Sequence, residues 1–324
     1  MPPGSAEAIS FVSRYPLRQQ SPIYRAGFGS NWTRELPADG ISAFRRFNDG
    51  AANDTVSPMG IRNSSLTRVQ PVLDSLHASD PTGTNWLLPL LRLASRSNCI
   101  ADDFAPGQLS TPPQYEFSAP PPREFLRFLL ANPATLAAPP ERVWRKWNEI
   151  TQVKRRAFLA GDAFIQREGL RSLDAARDLS ERAWWRFEGV TSVDCALFTE
   201  STVVFIEGKR TEDGPSRQVT WWAGRNQVIR NMECALELAR ATSRSHAFVL
   251  LVVEEDLCGL GTDRARNIEA VTDPSVIANS LPHLDPSGRD RIMRCYLGWT
   301  TWQAIVRKMV VDPAVLVDTV QPKG

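Results

Sequence analysis

The spacing of hydrophobic residues divides the chain into helical and extended segments. Apolar residues that recur every three or four positions, with prolines or acidic residues at several segment starts, predict helices over 85–97, 122–130, 140–159, 161–182, 225–240, 285–296 and 300–311. Short runs of β-branched and aromatic residues predict strands over 183–187, 193–199, 202–209 and 245–253. The sharpest pattern is therefore helix, three strands, helix and strand.

This order of elements predicts an α/β core over residues 161–255. The preceding region, 1–160, is predicted to be irregular and helical, and a helical extension, 256–324, is predicted to pack on the core. Residues 1–85 are rich in Ser, Pro, Gly, Asn and Arg and have weak periodicity. Such a composition is compatible both with ordered, irregular packing and with partial disorder.

Composition narrows the class of protein. The 324 residues include 38 Lys and Arg against 36 Asp and Glu, a formal net charge of +2 at pH 7, which excludes a strongly basic nucleic-acid packaging protein. Nucleic acid is not excluded as a partner, because local charge can differ from net charge. Five cysteines and three histidines without CxxC or HExxH spacing argue against a disulfide framework and a zinc site.

No segment predicts secretion or membrane insertion. The N-terminus lacks a basic stretch followed by an apolar run. The longest strongly apolar run, 247–253, is far shorter than the roughly 20 residues that cross a bilayer. We therefore expect a cytoplasmic protein that does not associate with membranes.

Three charged residues lie within or at the end of predicted strands. Asp194 lies inside 193–199, and Glu207 and Lys209 share one face of the next strand, because side chains alternate along a strand. If the two strands form a hairpin with its turn at 200–201, the numbers of paired residues sum to 401. A four-residue loop is an equal alternative, because Glu-Ser is not a preferred two-residue turn, whereas an odd-length loop without a bulge would put the two acids on opposite faces. With an even-length loop, Asp194 lies opposite Glu207, with both side chains on the same face.

This arrangement has a specific chemical consequence. Two carboxylates so close repel each other unless one holds a proton or a cation lies between them. Carboxylate oxygens, a main-chain carbonyl and water form a site that suits Mg²⁺ or Mn²⁺, and a nearby lysine can orient an attacking water. Asp194, Glu207 and Lys209 therefore predict metal-assisted hydrolysis of phosphodiesters.

The spacing D-x12-E-x-K, within this order of elements, resembles the PD-(D/E)xK nuclease superfamily. The resemblance covers about residues 161–255, less than a third of the chain. It implies a restriction-endonuclease-like αβββαβ fold, with a mixed central sheet flanked by helices. It also implies that the two acids and the carbonyl of Gly208 hold the metal and that the lysine assists the nucleophilic water. Gln227 and Arg230 match, in form, an element that several members carry on the next helix.

The resemblance to the superfamily is incomplete in the residues that precede Asp194. Members often have a proline before the first acid, where this chain has Val193. Members also often carry a further acid on the first helix, and four residues here qualify: Glu168, Asp174, Asp178 and Glu181. Glu188, just after the first predicted strand, is a rival for the third metal ligand.

Other residues near the predicted site have two interpretations each. Four arginines either bind phosphate oxygens through two N–H groups each or lie on a solvated surface: Arg210, Arg217, Arg225 and Arg230. Core packing explains four tryptophans better than stacking on bases does: Trp184, Trp185, Trp221 and Trp222. A solvated helix face is the simpler interpretation of the basic residues in 142–156, and Cys195 is predicted to fill the core.

The leading hypothesis is a divalent-metal-dependent nuclease that hydrolyses nucleic acid, with DNA favoured over RNA and Mg²⁺ or Mn²⁺ as cofactor. A second hypothesis is a nuclease-fold module that binds nucleic acid or a protein partner without cutting. A third is an α/β protein unrelated to nucleases, in which Glu207 and Lys209 are surface charges. The sequence does not decide whether the protein forms a homodimer.

Overall fold

The computed structural model of the protein describes residues 65–210, 220–255 and 262–317. Residues 1–64, most of the segment whose order the sequence leaves undecided, lie outside this description. Five strands are found in the described ranges: β1 (Gln114–Ala119), β2 (Thr191–Phe198), β3 (Thr202–Lys209), β4 (His246–Val253) and β5 (Tyr296–Thr301).

Helices surround these strands. A π-helical turn at Ser65–Val69 precedes the first helix. In chain order they are α1 (Gln70–Ser79), α2 (Leu87–Arg92), α3 (Arg123–Ala131), α4 (Glu141–Trp144), α5 (Glu149–Leu159), α6 (Ala163–Ala175), α7 (Gln227–Ala241), α8 (Thr262–Glu269), α9 (Pro274–Ser280), α10 (Pro286–Met293) and α11 (Trp302–Met309). None of these described helices is both long enough and apolar enough to cross a lipid bilayer.

The sheet is mixed, with antiparallel pairing on one side and parallel pairing on the other. Its order is β1-β2-β3-β4-β5; the first two pairings are antiparallel and the last two are parallel. A tight turn joins β2 to β3, and α7 crosses over from β3 to β4, as parallel neighbours require. An α/β fold with a mixed sheet flanked by helices is therefore confirmed.

The hairpin of β2 and β3 has the predicted register. Cys195 lies opposite Ile206, and the numbers of every pair from there to the turn sum to 401. A hydrogen bond of 2.9 Å between the two flanking threonines closes the turn over residues 200–201. The regular pairing ends at Cys195, one position before Asp194, so the pairing of Asp194 with Glu207 stays a prediction.

Both faces of the sheet are buried, which is why its central strands are almost continuous apolar runs. On one face, Leu197 and Leu250 belong to a core that includes apolar residues of α1, α2 and α11. On the other face, Phe205 and Val249 belong to a core that includes residues of α7 and α10. The end of the hairpin that carries the two acids is therefore enclosed between two helical layers.

A helical insertion, residues 120–190, separates β1 from β2. It contains α3 to α6 and has an aromatic core to which all four tryptophans considered above contribute, as the sequence favours. Arg155 is buried in this core, with its guanidinium carbon 4.1 Å from the ring centroid of Trp147 and 5.3 Å from that of Trp221. Burial lowers the pKa of Arg155 to about 10. The basic stretch of 142–156 is thus only partly a solvated face.

Two of the predicted elements are wrong. Residues 183–187 form turns rather than a strand, because their aromatic side chains join the core of the insertion. Residues 296–301 form β5 rather than the ends of two helices, and the Ser95 N–H donates to the Trp299 carbonyl along its outer edge (2.9 Å). The sequence also predicts no strand at β1, which lies between two proline-rich segments. The sheet therefore extends beyond residues 161–255 at both ends.

Candidate active site

Asp194 lies where the pairing between β1 and β2 is interrupted. Pairs continue on both sides, but Asp194 and Glu116, which would face each other, form no pair. Glu116 has a φ of 49°, in the left-handed region. Val193 and Cys195 pack into opposite layers, although strict alternation would place them on one face. Both strands therefore depart from regular geometry at this point, as strands do at bulges.

The Asp194 carboxylate takes the place of a backbone partner in the hairpin. Its Oδ2 accepts a hydrogen bond from the Gly208 N–H at 2.7 Å. In a regular antiparallel ladder, such an N–H donates to a main-chain carbonyl of the neighbouring strand. Asp194 is thereby fixed to the residue that lies between Glu207 and Lys209.

Three side chains orient the Glu207 carboxylate. Its Oε1 accepts hydrogen bonds from Lys209 Nζ (2.7 Å) and Gln227 Nε2 (2.6 Å), and its Oε2 accepts one from Asn231 Nδ2 (3.0 Å). The residue is only 1% exposed. Gln227 begins α7, and its position is fixed because the Asn226 side chain caps the two following backbone N–H groups.

The two carboxylates cannot both be charged at low cost. Burial and, next, the charge of Glu207 raise the pKa of Asp194 to about 8, although Lys209 and the Gly208 N–H act in the opposite direction. Without a cation, the charged form of Asp194 is therefore disfavoured. Two carboxylates that repel each other supply hard oxygen donors, which fit a divalent cation such as Mg²⁺. The described residues contain no group of three or more His, Cys, Asp or Glu that could hold a metal ion, so further ligands would be a carbonyl or water.

Gly208 has no room for a side chain. A Cβ at this position would lie 2.6 Å from Val69 Cγ2 and 3.0 Å from Trp302 Cζ2. Both neighbours are fully buried in the core that includes α1 and α11. Glycine therefore lets this core pack directly on the backbone between Glu207 and Lys209.

Gly208→Ala is expected to lower the free energy of unfolding by about 1–3 kcal/mol, the usual cost of overpacking a core. Gly189→Ala is the matched control, because nothing lies within 4 Å of a Cβ built there, and its effect is expected to stay within about 0.5 kcal/mol. Urea unfolding followed by tryptophan fluorescence measures both. Equal midpoints for the two variants would contradict the close packing at Gly208.

Glu188 and Arg225 belong to a buried ion cluster. Arg225 Nε and Nη2 donate to the two carboxylate oxygens of Glu188 at 2.9 and 3.1 Å, and Nη2 also donates to Glu233 Oε2 at 2.7 Å. The side chains of Arg225 and Glu188 have no exposed surface. These contacts argue against Glu188 as a metal ligand and against Arg225 as a phosphate-binding residue, because each already has a buried partner of opposite charge.

Arg230 and Arg210 also have protein partners. Arg230 Nη2 donates to the Gly189 carbonyl at 2.7 Å, and its side chain is 15% exposed. Arg210 Nη1 donates to Thr67 Oγ1 at 3.4 Å, and the residue is 8% exposed. The phosphate-binding role of these two residues stays a prediction, and Arg217 lies outside the described residues.

The four upstream acids that the sequence offered as further metal ligands lie in the helical insertion. Three of them have partners there: Lys154 for Glu168, Arg127 for Asp174 and Ser180 for Asp178. A different acid, Glu116 of β1, lies near Asp194, although the sequence analysis did not identify it. The charge of Glu116 adds to the rise in the pKa of Asp194.

Asn231 is a second residue that sequence reasoning missed. It is fully buried on α7, four positions after Gln227, and this spacing places both side chains on one face of a helix. A polar residue between Ile229 and Met232, on an otherwise apolar side of α7, was the signal that could have identified it.

No relative guides the assignment of this site. Comparison of the chain with protein-family models, with curated proteins and with solved structures finds no match. A function for the site therefore has to be argued from its own geometry and charge.

Proposed function

We propose that the protein is a divalent-metal-dependent nuclease with a restriction-endonuclease-like core. One observation carries the proposal: a partly buried acid, Asp194, and a buried acid, Glu207, act on each other in a hairpin, and Lys209 contacts the second of them. A simple ion pair between Glu207 and Lys209 does not explain a second, partly buried acid beside it, because burial and the neighbouring charge make such an acid costly to charge. The three antiparallel strands, the crossover helix and the next parallel strand support the assignment of the fold.

Asp194, Glu207 and the Gly208 carbonyl would hold the cation, Mg²⁺ or Mn²⁺. When bound, the cation supplies Lewis acidity toward a phosphoryl oxygen and lowers the pKa of water. Lys209 holds its ammonium group 2.7 Å from Glu207 Oε1 with a side chain that is 12% exposed, where it can orient a water or stabilise developing negative charge. Gln227 donates to the same oxygen and limits rotation of the carboxylate.

Nucleic acid is the proposed substrate, and DNA is the form to test first. Cleavage needs positive groups that hold the phosphate backbone beside the acids. Arg230 is the better candidate of the two remaining arginines, because its side chain is more exposed than Arg210 and lies one turn after Gln227. Its planar guanidinium suits phosphate oxygens.

Cleavage assays test the proposal. Wild-type protein is expected to cut at least one of single-stranded DNA, double-stranded DNA and RNA in Mg²⁺ or Mn²⁺, and none of them in EDTA. Lys209→Met should slow cleavage at least about 100-fold, whereas Lys308→Met, at an exposed lysine of α11, should cut like the wild type. Equal cleavage by the wild type, Lys209→Met and Lys308→Met would indicate a contaminating nuclease. If the wild type cleaves none of the three nucleic acids, the proposal is refuted.

A binding module without catalysis is the second candidate. The observation that favours it is that Lys209, Gln227 and Asn231 already donate three hydrogen bonds to Glu207 without a cation. Such a protein would bind nucleic acid equally well in Mg²⁺ and in EDTA and would leave it intact. Electrophoretic mobility of labelled DNA and RNA in the two conditions distinguishes the candidates.

A further inference from the structure

A buried chain of hydrogen bonds connects Glu207 to β2 through α7. Asn231 donates from Nδ2 to Glu207 Oε2 (3.0 Å) and accepts at Oδ1 from Thr191 Oγ1 (2.9 Å). Thr191 is the first residue of β2, three positions before Asp194, and is 3% exposed. The chain therefore joins the two strands that carry the acids.

This chain fixes the orientation of the Asn231 amide. A charged carboxylate only accepts hydrogen bonds, so the amide has to turn its NH₂ group towards Glu207. The Thr191 hydroxyl then donates to the amide oxygen on the other side. A buried amide with both ends satisfied is held rigidly, whereas removal of one partner leaves a polar group with an unmet hydrogen bond.

The hydrogen bonds also distinguish the two oxygens of Glu207. A carboxylate oxygen has two lone-pair positions. Lys209 and Gln227 occupy both positions on Oε1, and Asn231 occupies one position on Oε2. Within the described part of the chain no further group donates to Glu207, so the second position on Oε2 is the one left for a cation.

We propose that Asn231, aligned by Thr191, is the positioning residue that presents Glu207 Oε2 to the divalent cation. This inference rests on the proposed function, because it concerns the same cation. The Asn231 amide, on one lone pair of Oε2, resists rotation of the carboxylate and so keeps Oε1 with Lys209. Hydrogen bonds of this kind to a ligating carboxylate typically contribute about 10–100-fold in metal affinity.

Calorimetric titration of the full chain with Mn²⁺ tests this inference without relying on activity. Asn231→Ala is expected to weaken Mn²⁺ binding about 10–100-fold, and Thr191→Val, which removes only the aligning hydroxyl, about 3–10-fold by the same effect. Thr191→Ser keeps the hydroxyl and is expected to bind like the wild type. The Mn²⁺ concentration for half-maximal cleavage should shift by the same factors.

The outcomes separate the inference from the proposed function. Thermal unfolding of each metal-free variant establishes that it is folded. If Asn231→Ala does not fold, the comparison of Thr191→Val with Thr191→Ser tests the positioning role instead. If the wild type binds Mn²⁺ and the folded variants bind it equally well, the positioning role is refuted while the proposed function stands. If the wild type binds no Mn²⁺, the proposed function fails and the positioning role fails with it.

Discussion

Asp194→Asn is expected to abolish metal-dependent cleavage and also to make the metal-free protein more stable near pH 8. The substitution removes one of the two carboxylates that would hold the cation, a loss of several kcal/mol in the transition state, or a fall in rate of about 10³-fold or more. The asparagine oxygen can still accept the hydrogen bond from the Gly208 N–H, so the hairpin keeps its register. Single-turnover cleavage and urea unfolding in EDTA measure the two effects.

The expected gain in stability depends on pH in a definite direction. The pKa of Asp194 is raised to about 8 in the folded protein and is about 3.9 in an unfolded chain, so the folded state binds more protons between these values. The free energy of unfolding of the metal-free wild type therefore falls as the pH rises from about 4 to about 8. Asparagine has no such dependence, so the advantage of the variant should grow over this window and level off above it.

Glu200→Gln is the matched control for Asp194→Asn. It removes a carboxylate from the exposed turn of the same hairpin and should change neither cleavage nor the pH dependence of stability. Mg²⁺ should raise the stability of the wild type and of this control, because ligands that bind only the folded state stabilise it, and should leave Asp194→Asn unchanged. Wild-type cleavage by Asp194→Asn would contradict the catalytic role of the pair.

Arg225→Met is expected to lower the free energy of unfolding by about 3–5 kcal/mol, the usual result of removing one partner from a buried ion pair. The substitution leaves Glu188 and Glu233 buried without the guanidinium that bridges them. It also removes a hydrogen bond of 2.7 Å to the Ser280 carbonyl. Urea unfolding at a fixed pH near 7 measures the loss.

Two further arginine variants show whether loss of the buried ion cluster causes the fall in stability. Arg225→Lys keeps the charge but loses the forked geometry, so its stability should lie between those of the wild type and the methionine variant. Arg142→Met, at an exposed arginine of α4, should change stability by no more than about 0.5 kcal/mol. Normal stability of Arg225→Met together with a raised KM for nucleic acid would contradict the buried cluster and restore a phosphate-binding role.

The hairpin was predictable from sequence because local pattern alone specifies it. The two apolar runs are separated by only two residues, and so short a connection fixes the register of a hairpin; the observed pairing follows this register up to Cys195, next to Asp194. The prediction of Gln227 rests on the family resemblance instead, and the structure places this residue at the start of α7, where it donates to Glu207. Lys209 follows from the alternation of side chains along the strand.

The rest of the site depends on contacts between residues distant in sequence. An aromatic run at 183–187 has the composition of a strand, but its side chains join the insertion core instead. Arg225 looks like a phosphate-binding residue until Glu188, 37 positions away, is seen to face it. Asn231 is an ordinary polar helix residue in the sequence, and only the packing of α7 on the sheet places it against Glu207.

Anomalous diffraction from a crystal soaked in Mn²⁺ tests the central claim most directly, and a pH above 8 favours the charged form of Asp194 even without a cation. The account predicts one manganese peak between the carboxylates of Asp194 and Glu207, with oxygen distances of about 2.1–2.2 Å. It also predicts that the hydrogen bond from Lys209 to Glu207 persists. A crystal with no peak between the two acids, although the protein is folded as described, would contradict it.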